Sequence, residues 1–276
     1  MKAGLVQLCS GDDPEANLVV TRDLVRQAAS EGAQIVLTPE VTNCVSGSRE
    51  RQMDVLRPEA EDETLRALRE EARSLGLWLL LGSLALKAEK EGAPFVNRSF
   101  LIGPDGRIAA RYDKIHMFDV TISETESYRE SAGYQPGDRA VLARTPLADI
   151  GMTICYDVRF PHLFARLAKA GAQILTVPSA FARPTGQAHW ESLLRARAIE
   201  CGAFVLAPAQ TGVHPTSTDK VRWTHGHSLA VSPWGEVLHD SGDQVGVSIV
   251  DLDLAEVANS RRRVPSLSHF RPFEGP

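Results

Sequence analysis

Ile150-Gly-Met-Thr-Ile-Cys-Tyr-Asp-Val-Arg-Phe-Pro161 changes character halfway along. An apolar, strand-like run ends at Cys155, polar residues follow, and Pro161 is a favoured first-turn residue for a helix. The stretch reads as a buried strand, a cysteine at its C-terminal tip, and a helix beyond. A thiol there faces a helix N-terminus and is expected to be rigidly held and easily ionised. Cys9, Cys44 and Cys201 lack that setting and read as core or boundary residues.

The strand expected after that helix carries an echo. Gly171-Ala-Gln-Ile-Leu-Thr-Val-Pro-Ser179 and Gly32-Ala-Gln-Ile-Val-Leu-Thr-Pro-Glu40 share Gly, Ala, Gln, Ile and Pro in register. Each follows a helix-like stretch that itself follows a strand, Ala3 to Leu8 in one case and Ile150 to Cys155 in the other. Either these common residues coincide by chance, or the chain is an α/β protein built from two related β-α-β halves. In the second case Glu40 and Cys155 share one side of the assembly, where open α/β sheets place their ligand sites. No Pro/Gly/Ser-rich linker separates the halves, so residues 1–276 read as a single domain.

The remaining pattern supports the alternation. Helices are expected over Pro14 to Ser30, Glu61 to Leu75, Phe160 to Ala170 and His189 to Glu200, with a short basic helix ending at Arg261-Arg-Arg263. Leu77 to Leu86 is a continuous apolar run, typical of a strand buried on both faces. Gly103-Pro-Asp-Gly106 turns a hairpin between Asn97–Ile102 and Ile108–Tyr112, and Ser232-Pro-Trp-Gly235 turns another. Strands are also expected at Gln34 to Thr38, Gln173 to Val177, Ala203 to Pro208 and Val245 to Val250. Residues 119–138 read as an irregular surface excursion.

With 43% hydrophobic and 24% charged residues, the 276-residue chain has the composition of a soluble globular protein. A net charge of −5 argues against nucleic acid or an anionic membrane as the main partner. No apolar run reaches the roughly 20 residues that span a bilayer, and the N-terminal stretch is too short to read as a secretory signal. The four cysteines are widely spaced, which fits reduced thiols of a cytoplasmic protein better than a zinc site or disulfide framework.

Three residues after strand-like runs supply a base, a cation and a thiol: Glu40, Lys114 in Arg111-Tyr-Asp-Lys114, and Cys155. These are the parts needed for acyl transfer through a thioester. Taken singly, Glu40 reads equally well as a solvated loop residue, and Lys114 reads better as a solvated hairpin end beside Arg111 and Asp113. Pro39-Glu40, Tyr112-Asp-Lys-Ile-His-Met-Phe-Asp119, Arg129-Glu-Ser131 and Ile154-Cys-Tyr-Asp-Val-Arg-Phe-Pro161 together resemble the nitrilase superfamily of carbon–nitrogen hydrolases. The resemblance runs from Leu5-Val-Gln-Leu8 to Pro233-Trp-Gly235. Pro178-Ser-Ala-Phe181, Ala188-His-Trp-Glu191 and Gly226-His-Ser228 are most similar to its deaminated-glutathione amidase branch, with the ω-amidase branch next. His162 and Asp113 depart from that branch, which commonly has Glu and Arg there.

The resemblance implies a four-layer α-β-β-α sandwich, a homodimer or larger homo-oligomer, and hydrolysis of a small carboxylate-bearing amide such as deaminated glutathione, with release of ammonia. Other superfamily reactions, on α-keto-acid amides, N-carbamoyl amides or nitriles, remain alternatives. Cys155 is expected to attack the amide carbon and Glu40 to move the proton. Lys114 and the backbone N–H of Tyr156 are expected to hold the oxyanion, with Glu130 steadying Lys114 or the substrate amide. Arg159 and Arg183 are candidate carboxylate clamps and Phe181 a candidate pocket wall. Neither metal nor organic cofactor is required by this chemistry. The rivals are a metal hydrolase on His225, His227 and His214, a Cys–His enzyme using His189 or His116, and a non-catalytic interaction protein contacting partners through Arg261–Arg263.

Overall fold

The computed structural model describes residues 1–89, 94–124 and 126–275. The first half runs β1 (Lys2–Gln7), α1 (Pro14–Ser30), β2 (Ile35–Leu37), α2 (Arg49–Val55), α3 (Glu63–Leu75), β3 (Trp78–Lys87), β4 (Phe95–Ile102) and β5 (Ile108–Asp113). A hairpin of β6 (Asp119–Thr121) and β7 (Ser127–Arg129) and the short β8 (Tyr134–Gln135) lead out of it. The second half runs β9 (Val141–Arg144), β10 (Asp149–Met152), α4 (Pro161–Lys169), β11 (Ile174–Thr176), α5 (Arg183–Cys201) and β12 (Phe204–Ala207). It continues through β13 (Thr211–Val213), β14 (Trp223–His225), β15 (Leu229–Val231), β16 (Val237–Asp240), β17 (Gly246–Asp251) and α6 (Ala255–Arg263).

The echo is a structural duplication. One sheet has the order β17-β1-β2-β3-β4-β5 and the other, traced to match, β9-β10-β11-β12-β15-β16. In both, the three strands after the first are parallel and the flanking strands antiparallel. Ala3 pairs with Ile35 as Ile150 pairs with Ile174. Gln34 and Gln173 make the same bonds: each backbone N–H donates to the first strand (Lys2 O, 2.9 Å; Asp149 O, 2.8 Å). Each side-chain Oε1 accepts the return bond, from Lys2 N at 3.1 Å and Asp149 N at 3.2 Å. Gly32 and Gly171, with φ of 89° and 114°, make the left-handed exit from α1 and α4 that a side chain would strain.

Two-sided burial explains the apolar strands. Val6, Val36, Leu79 and Leu81 pack under Val25 and Ala28 of α1 and Leu65, Leu68 and Ala72 of α3. The alternate residues Leu5, Leu37, Leu80 and Leu101 join Ile150, Met152 and Ile174 of the second sheet. Helices α4 and α5 cover that sheet with Phe164, Leu167, Trp190 and Leu194. The result is the expected α-β-β-α sandwich.

Some boundaries differ from expectation. Helix α5 begins at Arg183, not His189, because Pro184 opens its first turn. His189 and Trp190 therefore lie inside the helix and do not cap it. Residues 119–138 are not a loose surface excursion: β8 pairs parallel to β4, and Glu130–Ala132 forms a 3-10 turn. Residue 125 of that stretch lies outside the described residues.

Gly82 marks the tightest contact between the halves. A Cβ there would stand 2.5 Å from Pro39 O and closer still to Thr38 O and Pro178 Cβ. Gly82→Ala is expected to destabilise the fold by about 3 kcal/mol through overpacking. Gly76→Ala, with nothing within 4 Å of its Cβ but a φ of 65°, should cost less. Urea unfolding of both variants checks this.

Candidate active site

Glu40 leaves the end of β2, Lys114 the end of β5, Cys155 the turn after β10, and Glu130 the turn after β7. All four line a cavity of about 360 Å³, within the usual range of roughly 300–1,000 Å³ for small-ligand pockets. Lys114 Nζ donates to Glu40 Oε1 at 2.9 Å and to Glu130 Oε1 and Oε2 at 3.0 and 2.8 Å. Lys114 and Glu40 are only 2% and 4% exposed, so every charge here must be matched by a partner.

Two further donors complete the carboxylates. Asn97 Nδ2 donates to Glu40 Oε1 at 2.9 Å, and the Ala180 N–H to Glu40 Oε2 at 2.8 Å. Glu130 Oε2 accepts from the Phe118 N–H at 2.6 Å. Burial alone would raise the Glu40 carboxyl, but the charge and hydrogen bond of Lys114 bring it below the usual carboxylate range. Burial works against the Lys114 ammonium too, yet Glu130 and Glu40 hold it well above its ordinary pKa. Both stay charged.

Cys155 differs from its sequence expectation. Burial first, then the charge of Glu40, pushes the thiol up, against the opposing pull of Lys114 and the Ala180 N–H. A 3-10 turn, Cys155–Arg159, separates the sulfur from α4, so no long helix N-terminus addresses it. It is therefore a thiol at rest, with the Glu40 carboxylate as its side-chain hydrogen-bond neighbour. Its φ of 49° is a left-handed conformation that few non-glycine residues adopt. Asp157 pins that turn: its fully buried carboxylate accepts from the Ile154 N–H (2.9 Å), Tyr112 OH (2.6 Å) and the His116 N–H (3.1 Å). Among the described residues none accepts a hydrogen bond from the Tyr156 N–H, which leaves a donor free one residue past the sulfur.

The other expected residues are placed as follows. Phe181 lines the cavity, while Arg159 and Arg183 are outside its lining. Arg159 lies 5.5 Å from the Phe181 ring and bonds His189 Nδ1 at 3.2 Å. Arg183 stacks on Trp223 at 3.7 Å. Asp113 is held bidentately by Arg98 (2.6 and 2.9 Å), and His162 stands edge-on to Phe160, so neither departure from the family pattern lines the cavity. His214 has both ring nitrogens engaged, by Ser10 O and Thr224 Oγ1, and does not join the stacked His225 and His227. His116 and His189 are also outside the cavity lining. Sequence reasoning missed Asn97, Ala180, Asp157, Tyr134 and Arg222. Only Asn97 left a signal: an amide, a residue type depleted in strands, inside the strand β4.

A thiol, a carboxylate and an ammonium around one cavity are parts from which an acyl-transfer site can be built. The family model Carbon-nitrogen hydrolase matches residues 2–262, and the chain belongs to that family. It is 40% identical over 272 residues to deaminated glutathione amidase of Yersinia enterocolitica, covering 97% of this chain and 92% of that protein. The crystal structure of the Caenorhabditis elegans NitFhit protein superimposes with a TM-score of 0.90 at 36% identity over 98% of this chain, which spans only 65% of that fusion protein. A glutamate-to-glutamine mutant of an amidase from Nesterenkonia sp. AN1, which shows the result of Michael addition of acrylamide at its active-site cysteine, matches at 26% identity and a TM-score of 0.77, covering 96% of this chain and 98% of that one. The protein is an amidase of the nitrilase superfamily, acting on carbon–nitrogen bonds other than peptide bonds.

Lys114→Met would leave the buried Glu40 and the partly buried Glu130 without their cation, and is expected to destabilise by about 3–5 kcal/mol at pH 7. In that variant burial, no longer offset by the ammonium, raises the folded Glu40 carboxyl above its unfolded value. The folded state then binds more protons than the unfolded chain, and stability falls as pH rises through that window. The deficit against wild type should therefore shrink on acidification from pH 7 towards 5, as measured by urea unfolding.

Proposed function

We propose that the protein hydrolyses small carboxylate-bearing amides through a thioester on Cys155, with deaminated glutathione as the substrate. The observation carrying this reading is the buried cluster in which Lys114 and the Ala180 N–H both reach Glu40 while Glu40 neighbours the Cys155 thiol. Because the thiol is protonated at rest, attack and deprotonation are coupled: Glu40 takes the proton as sulfur bonds to the amide carbon. Lys114 and the Tyr156 N–H receive the developing oxyanion, and Glu130 keeps Lys114 aimed. Glu40 next gives its proton to the departing amine, then activates water against the thioester.

The expected release of ammonia needs one amendment. Deaminated glutathione joins its acyl part to cysteinylglycine through a secondary amide, so its leaving group is that dipeptide's amine. Ammonia leaves only from a primary amide, the ω-amidase alternative. The 40% identity to a deaminated glutathione amidase over nearly the whole chain favours the dipeptide-releasing reaction. We assign a cytoplasmic homodimer on the same reading. Four free cysteines suit a reducing compartment, and the exposed Ile199, Trp234 and Phe270 offer apolar contact surface. Light scattering should return twice the chain mass.

Intact-mass trapping decides the chemistry. Brief exposure to deaminated glutathione should leave a 2-oxoglutaryl adduct on Cys155, and none on Cys155→Ala. Glu40→Gln should slow acylation by about a hundredfold or more. Full turnover by Cys155→Ala would end this reading.

A further inference from the structure

The proposed chemistry occupies the floor of the cavity, and its mouth carries charge that chemistry does not use. Arg49, Arg129, Lys220 and Arg222 line it together with Lys114, while among the described residues the only carboxylates of the lining are Glu40 and Glu130. Lys114 already holds both. The lining is thus strongly cationic on a chain whose net charge is −5. Several arginines elsewhere are ion-paired, Arg22 and Arg26 with Glu71, Arg98 with Glu59 and Asp113, Arg144 with Asp149, whereas others such as Arg159 and Arg183 rest on aromatic rings. Among the described residues no ion pair reaches Arg222, Lys220 or Arg49.

Arg222 is the best placed of these. Its Nη2 donates to Ala180 O at 3.2 Å, and the N–H of the same Ala180 donates to Glu40 Oε2 at 2.8 Å. The guanidinium therefore stands one residue's width from the Glu40 carboxylate, and its charge helps hold Glu40 down. It lies 5.9 Å from the Tyr128 ring, another lining residue, and is half-buried. A guanidinium has about five N–H donors, and the Ala180 carbonyl is the one hydrogen-bond acceptor it has among the described residues. A held but unsatisfied fork is suited to a carboxylate. Exposed Val221 and Lys220 precede it, so it belongs to the mouth.

Position fixes which carboxylate. The acyl group must sit on the sulfur at the floor, and the leaving amine must depart through the mouth. We propose that Arg222, assisted by Lys220, binds a carboxylate carried by the leaving amine, so that the enzyme selects amides that are anionic on both sides of the scissile bond. This rests on the thioester reading and adds to it a residue that determines specificity. It also separates the two substrate classes: a primary amide gives this clamp nothing to hold.

The test uses deaminated glutathione and the same molecule with its glycine carboxylate converted to a carboxamide, a pair differing in one charge. The wild type should prefer the acid by roughly tenfold or more in kcat/KM, mainly through KM, and less so at high salt. Arg222→Gln should bring the ratio close to one, and Arg222→Lys should restore part of it. Lys220→Gln, at an exposed position that cannot unfold the chain, should lower the ratio about twofold to threefold. A wild-type ratio near one, or a ratio unchanged in both Gln variants, overturns the clamp. Adduct mass on Cys155 keeps the two ideas apart: equal acylation by both amides sinks the clamp alone, and acylation by neither sinks the thioester reading with it.

Discussion

A lysine buried between two glutamates is the constraint on which the rest of this structure turns. Lys114 is 2% exposed, and an ammonium so desolvated persists only where carboxylates meet it at hydrogen-bonding distance. Glu40 and Glu130 come from the ends of different strands, so their approach fixes β2, β5 and the turn after β7 relative to one another. Removing Lys114 leaves both carboxylates without their cation. The segment 119–138 is drawn into the fold for that reason: its Glu130 must reach Lys114, and Phe118 must lend its N–H.

The duplicated scaffold makes the site by using each half differently. Register equates Ala3 with Ile150 and Ile35 with Ile174, and counting onward equates Leu8 with Cys155 and Glu40 with Ser179. Leu8 is buried apolar filler, and Ser179 bonds back to Val177 O at 3.0 Å. Each half thus offers two strand-end positions facing the junction, and one in each carries a reactive side chain. Equivalent prolines, Pro39 and Pro178, precede Glu40 and Ser179, and both press against Gly82. A common backbone geometry delivers a carboxylate from one half and a thiol from the other to the same cavity.

That plan was legible in the sequence where a repeated local rule wrote it. Gly32 and Gly171 announce left-handed helix exits, Gln34 and Gln173 the strand-to-strand bonds, and the apolar run from Leu77 to Leu86 a strand buried on both faces. Cys155 stood out through its place at a strand end, whereas Glu40 and Lys114 became legible only in combination with it and with the motifs around them. What stayed hidden depends on long-range meetings with no local signature. Ala180 serves through its backbone N–H, which any residue could supply. Asp157 looks like an ordinary turn residue until Tyr112 and His116 arrive from a segment some forty positions earlier. Arg222 sits in a stretch without periodicity, and only the folded cavity reveals that its charge is unmatched.

The thiol's protonation state follows from the same lysine. A lone ammonium beside a cysteine would favour the thiolate. Here the ammonium is shared with two carboxylates, and one of them, Glu40, borders the sulfur and repels its anion. A cysteine held this way does not carry a standing negative charge into a buried pocket. On the proposed chemistry it becomes a nucleophile only when a carbonyl is present to accept the electrons and Glu40 takes the proton. The cation, relieved of part of its duty as Glu40 is protonated, is then free to attend to the new oxyanion. On the proposed chemistry, negative charge moves from Glu40 to the substrate oxygen while Lys114 stays in place, and reorganisation within the site is small.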